Sequence, residues 1–229
     1  FGISSQYDHA IFNYFNKSTP LRYGENPHQP GTYYGNLDTI FDKLNGKEIS
    51  FNNILDLDAA IGMMNDFSEP VSAIFKHNNP CGVACRADLT EAWQKALEGD
   101  PVSAFGGVVA SNQMIERITA EEINKLFFEI LIAPDYTPVA LEILRSKKNR
   151  IILRLKPFDR QAKIFRSALN GVIEQTRDLK SETLADLQPV TRKVPSENVK
   201  EELIFANKIA KHAKSNAIVL TKNKQLLGI

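Results

Sequence analysis

The sequence predicts an α/β domain with a largely parallel sheet covered by helices on both faces, and three observations carry that expectation. Short apolar runs bounded by turn residues recur between residues 71 and 155. Segments with helical periodicity and capping residues stand between them, the alternation of a layered α/β fold. Composition agrees: 43% of the 229 residues are hydrophobic and 24% charged, enough to bury a core and unlike a disordered chain.

Taken in order, Tyr7, Ile11 and Phe15 form one helical stripe that Thr19-Pro20 ends. Turn formers from Leu21 to Pro30 make a loop, and Thr32-Tyr33-Tyr34 is a strand. Asn45-Gly46 marks a turn, and Asn53 to Asp66 is a helix with Ile54, Leu57, Ile61 and Met64 inward. Val71 to Phe75 is extended and apolar, after which Pro80-Cys81-Gly82 is expected to turn the chain. Asp88, with Glu91 three residues on, caps a helix through Leu97 that stops at Gly99. Val102 to Ala110 is expected as the second strand, interrupted by Gly106-Gly107, and Thr119 to Glu122 caps the second helix. Ile130 to Ala133, Pro138 to Leu144 and Ile151 to Leu155 follow as strand, helix and strand. The polar stretch from Pro157 to Pro195 is a connecting segment with one strand near Gly171-Val172-Ile173. Pro195-Ser196 opens a long helix to Lys214, then a strand from Ala217 to Thr221 and a turn at Asn223-Lys224 begin a further α/β unit.

The 28 Lys and Arg against 27 Asp and Glu leave +1, so no net field draws the chain onto nucleic acid or an anionic membrane. No apolar run approaches the ~20 residues that span a bilayer, the N-terminus lacks a signal-peptide pattern, and a cytoplasmic location is expected. Cys81 and Cys85 are too few for a disulfide framework, and their spacing, that of a helical turn, suits a reducing compartment. His77 raises a metal reading. Zinc nucleobase deaminases carry H-x-E and then P-C-x-x-C. Here Pro80-Cys81 is present, but the second cysteine falls one residue late and no H-x-E precedes it, so two packed thiols are expected and no zinc.

Lys76 and His77 follow a buried strand at its carboxyl end, the edge where open α/β sheets place ligands. A neighbouring ammonium disfavours a second positive charge, leaving the imidazole able to accept a proton, and the lysine can steady an oxyanion. Arg22, Tyr23 and Gly24 offer a forked cation for phosphate, an aromatic face for a ring and a close backbone approach, though a solvated loop has the same composition. Phe105-Gly106-Gly107 marks either a ligand's approach or a bulge. Glu129, between Phe128 and Ile130, needs a partner for its carboxylate, and Asn216 offers either a directed amide or a helix-end cap.

Five motifs in order, LRYGENPHQ at 21–29, FKHNNPCG at 75–82, DPVSAFGG at 100–107, IAPDY at 132–136 and KSNAIVL at 214–220, resemble the bifunctional purine-biosynthesis family. That family joins phosphoribosylaminoimidazolecarboxamide formyltransferase to inosine monophosphate cyclohydrolase, and the resemblance runs over nearly the whole chain. It implies a cytidine-deaminase-like three-layer α/β/α unit followed by the start of a second similar unit. It further implies formyl transfer from 10-formyltetrahydrofolate to the 5-amino group of 5-aminoimidazole-4-carboxamide ribonucleotide (AICAR). By the same resemblance Lys76 and His77 match the catalytic pair, and Arg22, Tyr23, Phe105, Gly106 and Asn216 match nucleotide contacts. Glu129 stands where some members have an aspartate against the ribose. Residues 1–18 match the terminal helix of the preceding cyclohydrolase domain, 19–156 the first transformylase unit, 157–195 a connecting segment and 196–229 the truncated start of the second. The family works as a homodimer with sites built from both units, so a segment of this extent is expected to turn over little.

Overall fold

The computed structural model describes residues 17–229, so the stripe over residues 7–15 lies outside the described residues. Ser18–Pro20 (β1) and Thr32–Tyr34 (β2) pair as a small antiparallel ribbon. The central sheet comprises Phe41–Asn45 (β3), Val71–Lys76 (β4), Asn79–Cys85 (β5), Val108–Ser111 (β6), Ile130–Ala133 (β7) and Ile151–Leu155 (β8). Its spatial order is β3-β8-β7-β6-β4-β5. Only β6–β7 and β7–β8 run parallel; β3–β8, β4–β6 and β4–β5 are antiparallel, so the sheet is mixed rather than largely parallel.

The cause is a hairpin at His77-Asn78, where the sequence suggested a turn three residues later. Both residues have positive φ, 53° and 63°, in a two-residue connection between Lys76 and Asn79, which pair across it. Such turns match the twist of the flanking strands, and Asn and His tolerate left-handed backbone better than most residues. Pro80-Cys81-Gly82 therefore lies in strand β5. Proline is acceptable there because β5 is the last strand in the order, beyond the reach of a continuous ladder.

Among the described residues six helices surround the sheet: Phe51–Met64 (α1), Leu89–Gly99 (α2), Pro101–Ala104 (α3), Arg117–Ile123 (α4), Pro138–Arg145 (α5) and Glu197–Lys211 (α6). Strand side chains alternate between two cores. Val108, Ile130, Ile132, Ile151 and Leu153 meet Leu57, Ile61 and Met63 of α1 and Phe205 and Ile209 of α6. Val109, Leu131 and Ile152 meet Trp93 of α2, Ile123 of α4 and Leu144 of α5 on the opposite face. Three layers result. The Tyr136 hydroxyl, buried between β7 and β8, donates toward Leu131 O at 3.2 Å and Leu153 O at 2.8 Å.

Local chemistry explains most boundaries. Ser50 and Asn53 form a reciprocal capping box at α1, and Asp88 Oδ1 accepts from Glu91 N at 2.9 Å at α2. Residues 102–107, expected as strand, contain α3 instead: Asp100 caps it and Pro101 occupies its first turn. Helix α4 begins two residues before Thr119, whose buried hydroxyl meets Thr90 at 2.8 Å. The connecting segment carries a hairpin, Lys163–Ala168 (β9) with Gly171–Thr176 (β10). Helix α6 ends at Lys211, short of Lys214, and the strand beyond it shrinks to Leu220–Thr221 (β11), paired with Leu226–Gly228 (β12) about positive-φ residues Asn223 and Lys224. This last segment shares the core of the sheet: Leu226 is buried with Val71 and Cys85, and Cys85 N donates to Lys224 O at 3.0 Å. Asp66 fixes the end of α6 through Lys211 at 3.1 Å and His212 at 2.5 Å. Among the described residues no helix is long and apolar enough to cross a membrane.

Candidate functional site

Because β4 runs against β6, the carboxyl end of β4 lies at the edge where β6, β7 and β8 begin. Lys76 thus does follow a buried strand at its carboxyl end, yet this edge is the amino end of the parallel strands. The loops reaching it are the His77-Asn78 turn, the segments before β6, β7 and β8, and the turn after β3.

The His77-Asn78 turn is held from two directions. Asp56 Oδ1 on α1 accepts from Asn78 N at 2.7 Å, and Lys214 Nζ, just past α6, donates to His77 O at 3.1 Å. Lys214 N also donates to Asn79 Oδ1 at 2.9 Å. His77 is exposed and Lys76 half-buried. Burial pushes the Asp56 carboxyl above the usual aspartate range; the Asn78 amide, His77 and Lys214 oppose the shift, and Glu129 adds to it. Neither Asp56 nor Lys214 was singled out from the sequence. The signal for Asp56 was its position three residues after Asn53 on one side of α1.

Lys76 Nζ donates to Phe105 O at 2.5 Å, joining the pair to the loop between α3 and β6. An ammonium has three donors, so two remain for an incoming group. The Phe105 ring lies 5.0 Å from that of Phe127, and both are exposed. Gly106 takes φ +74°, and its N–H donates to Phe127 O at 2.8 Å. Among the described residues the Gly106 carbonyl receives no hydrogen bond, so of this pair's backbone it is the acceptor left for a ligand.

Glu129, whose carboxylate needed a partner, has two. Lys47 Nζ and Asn53 Nδ2 each lie 3.2 Å from its oxygens. Asn53 stands one turn before Asp56, so the start of α1 connects Glu129 to the His77 turn. Arg22 and Tyr23 lie beside that start: Arg22 N donates to Ile49 O at 3.0 Å and Phe51 N to Tyr23 O at 3.2 Å. The guanidinium sits 4.6 Å over the Tyr23 ring and its Nη2 donates to the Tyr23 hydroxyl at 2.9 Å. Arg22 Nε is buried without a hydrogen-bond partner. Asn216 is exposed and makes no hydrogen bond to these groups among the described residues; Lys214 is the residue of its motif that reaches them.

The cysteines lie in strand, not in a helical turn. A bulge opposite Ile74 and Phe75 changes the parity of β5 at Cys81, so Cys81 packs toward the α2 core and Cys85 lies in the α1 core. Burial pushes their thiols up to about 11 and about 12, so both are protonated near neutrality. Among the described residues no three His, Cys, Asp or Glu side chains come together as a metal site.

Against known proteins, residues 1–229 match the family described as AICARFT/IMPCHase bienzyme. The bifunctional purine biosynthesis protein PurH of Bacteroides thetaiotaomicron is 55% identical over 240 residues, covering 100% of this chain and 47% of that protein. PurH of Caldicellulosiruptor saccharolyticus is 43% identical over 256 residues, with 100% and 50% covered. PurH of Thermoanaerobacter sp. is 42% identical over 250 residues, with 100% and 49% covered. The chain spans about half the length of these relatives. By that match the chain belongs to the AICARFT/IMPCHase bienzyme family.

Proposed function

We propose that this chain is part of a bifunctional purine-biosynthesis enzyme and carries half of the site for formyl transfer from 10-formyltetrahydrofolate to AICAR. The observation that carries the reading is the pinned hairpin turn: His77 is presented at the surface between Asp56 and Lys214, beside a Lys76 anchored on Phe105 O. The aromatic amine of AICAR is a weak nucleophile, so transfer gains from a base for its proton and from a cation at the formyl oxygen. In this reading the His77 imidazole accepts the amine proton as nitrogen bonds to the formyl carbon. Lys76 steadies the negative oxygen with a donor not used on Phe105, and the leaving folate nitrogen recovers a proton. The buried, unpartnered Arg22 Nε, beside the Tyr23 ring, suits a phosphate, and in this reading Tyr23, Phe105 and Gly106 contact the nucleotide. Glu129 then takes the ribose hydroxyls and Asn216 the carboxamide.

A second reading is a nucleotide-binding, dimer-forming segment without turnover, and the half-length match to the relatives favours it for this chain alone. Calorimetric titration with AICAR beside a formyl-transfer assay separates the two. The expected result is binding weakened by Arg22→Ala and Lys76→Ala, with little or no turnover and a homodimer in solution. Absence of AICAR binding would overturn the site assignment, and full transfer rates by the 229-residue chain would overturn the division of the site between two halves.

A further inference from the structure

A cleft of about 690 Å³ opens between the segments leading into β7 and β8, a volume that suits a small ligand. Five cations line it: Lys47, Lys125, Lys147, Lys148 and Arg150. Two of them are engaged, Lys47 with Glu129 at 3.2 Å and Lys125 with Glu122 at 2.5 Å. The other three have no carboxylate within ion-pair distance among the described residues. Lys147 and Lys148 are exposed at the rim.

Arg150 is the informative member. Its side chain is buried, with 5% of the residue exposed, lies 4.2 Å over the Phe128 ring, and donates to Asn124 Oδ1 at 2.6 Å and Leu144 O at 3.3 Å. All its partners are neutral. A guanidinium taken out of water without an anion is costly, and burial here pulls its pKa down with no opposing carboxylate. The structure therefore holds a fixed cation at the cleft wall with two exposed cations beside it, and Phe127 and Phe128 supply an apolar side.

We propose that this cleft is a binding site for a multiply charged anion, a short chain of phosphates or carboxylates held by Arg150, Lys147 and Lys148. The fork of Arg150, with Phe128 behind it, fixes one anionic group, and the two lysines take the next. Glu129 also lines the cleft, its carboxylate held by Lys47 at 3.2 Å, so the anion is taken on the Arg150 side, and an occupant that draws Lys47 toward itself frees Glu129 and ties the cleft to the site beside α1.

The test is calorimetric titration of the 229-residue chain with inorganic tripolyphosphate and, separately, with triglutamate, at low and physiological salt. One site is expected, with affinity falling as salt rises. The Lys147→Ala/Lys148→Ala chain, altered only at exposed positions, should bind at least about tenfold more weakly. Arg150→Lys, which keeps the charge and loses the fork, should weaken binding as well, and its melting curve reports whether it folds. The tighter probe identifies phosphate or carboxylate as the source, and equal binding means that charge alone is read. Binding of neither probe overturns the proposal. So does an equal loss in a Lys180→Ala/Lys193→Ala control, whose residues do not line the cleft, since that would show diffuse attraction. Loss in Arg22→Ala with Lys147→Ala/Lys148→Ala unaffected would place the anion in the site beside α1 instead.

Discussion

Removing the Asp56 carboxylate tests whether the His77 turn is held from α1. In Asp56→Ala the Asn78 amide loses an ionised acceptor at 2.7 Å while its backbone stays at φ 63°. A hydrogen bond to a charged group contributes about 1.5–3 kcal/mol, and relief of the buried charge returns part of that, leaving a net loss of about 1–2 kcal/mol. For a chain of this size that is a fall in melting temperature of about 2–8 °C. Asp56→Asn keeps an acceptor and should stay within about 1 kcal/mol of the parent. The two also differ in pH response. The folded-state carboxyl titrates above its ordinary 3.8, so the folded chain holds that proton to higher pH than the unfolded chain. Stability from this group is therefore fullest below 3.8 and falls as pH rises through the folded value, a slope that Asp56→Asn removes. Scanning calorimetry from pH 3.5 to 7 on all three chains measures both effects. An Ala variant melting with the parent, or an Asn variant with the parent's slope in that window, would refute the reasoning.

Three further outcomes are expected. Trp93→Ala, at a residue 1% exposed between α2 and the sheet, should cost about 3–5 kcal/mol, read from chemical denaturation. Gly82→Ala places a methyl group 2.1 Å from Ala96 O, so α2 must lift from β5 at about 1–3 kcal/mol; an unchanged denaturation midpoint would show that the contact yields freely. With thiols at about 11 and about 12, roughly one Cys81 in a thousand is thiolate at pH 8, so iodoacetamide should label the folded chain slowly and the guanidinium-unfolded chain fast. Prompt labelling of folded Cys81 would contradict its burial.

Strands β7 and β8 and helices α2 and α5 were legible because each is a bounded apolar run or a capped, periodic segment whose local signals agree with its surroundings. The sense of β4 was not. Pro80-Cys81-Gly82 carries stronger turn chemistry than His77-Asn78, and only the position of β5 at the end of the sheet order lets proline remain in strand. The short helix α3 announced itself through Asp100-Pro101, a cap and a first-turn proline, but the apolar residues from Val102 to Ala110 favoured a continuous strand. At the site, Lys76 meets the Phe105-Gly106 backbone, and Arg22, Tyr23 and Glu129 gather around the start of α1; the sequence singled these residues out one by one and gave no sign of which would meet. Asp56 and Lys214 escaped notice because their role depends on a turn that the sequence placed elsewhere, and pairing across 22 and 137 residues leaves no local pattern.

The direction of the sheet also decides which ends of the helices look at a ligand. Helices α2, α4 and α5 each precede a strand that starts at the site edge, so their carbonyl termini, carrying partial negative charge, lead toward it. Nucleotide-binding sheets of the opposite arrangement meet phosphates with helix amino termini and need few side-chain cations. Among the described helices only α1 offers its amino end, which leaves neutralisation of the proposed anions to side chains. That electrostatic requirement matches the gathering of Lys47, Lys147, Lys148 and Arg150 around one cleft of a chain whose net charge is only +1.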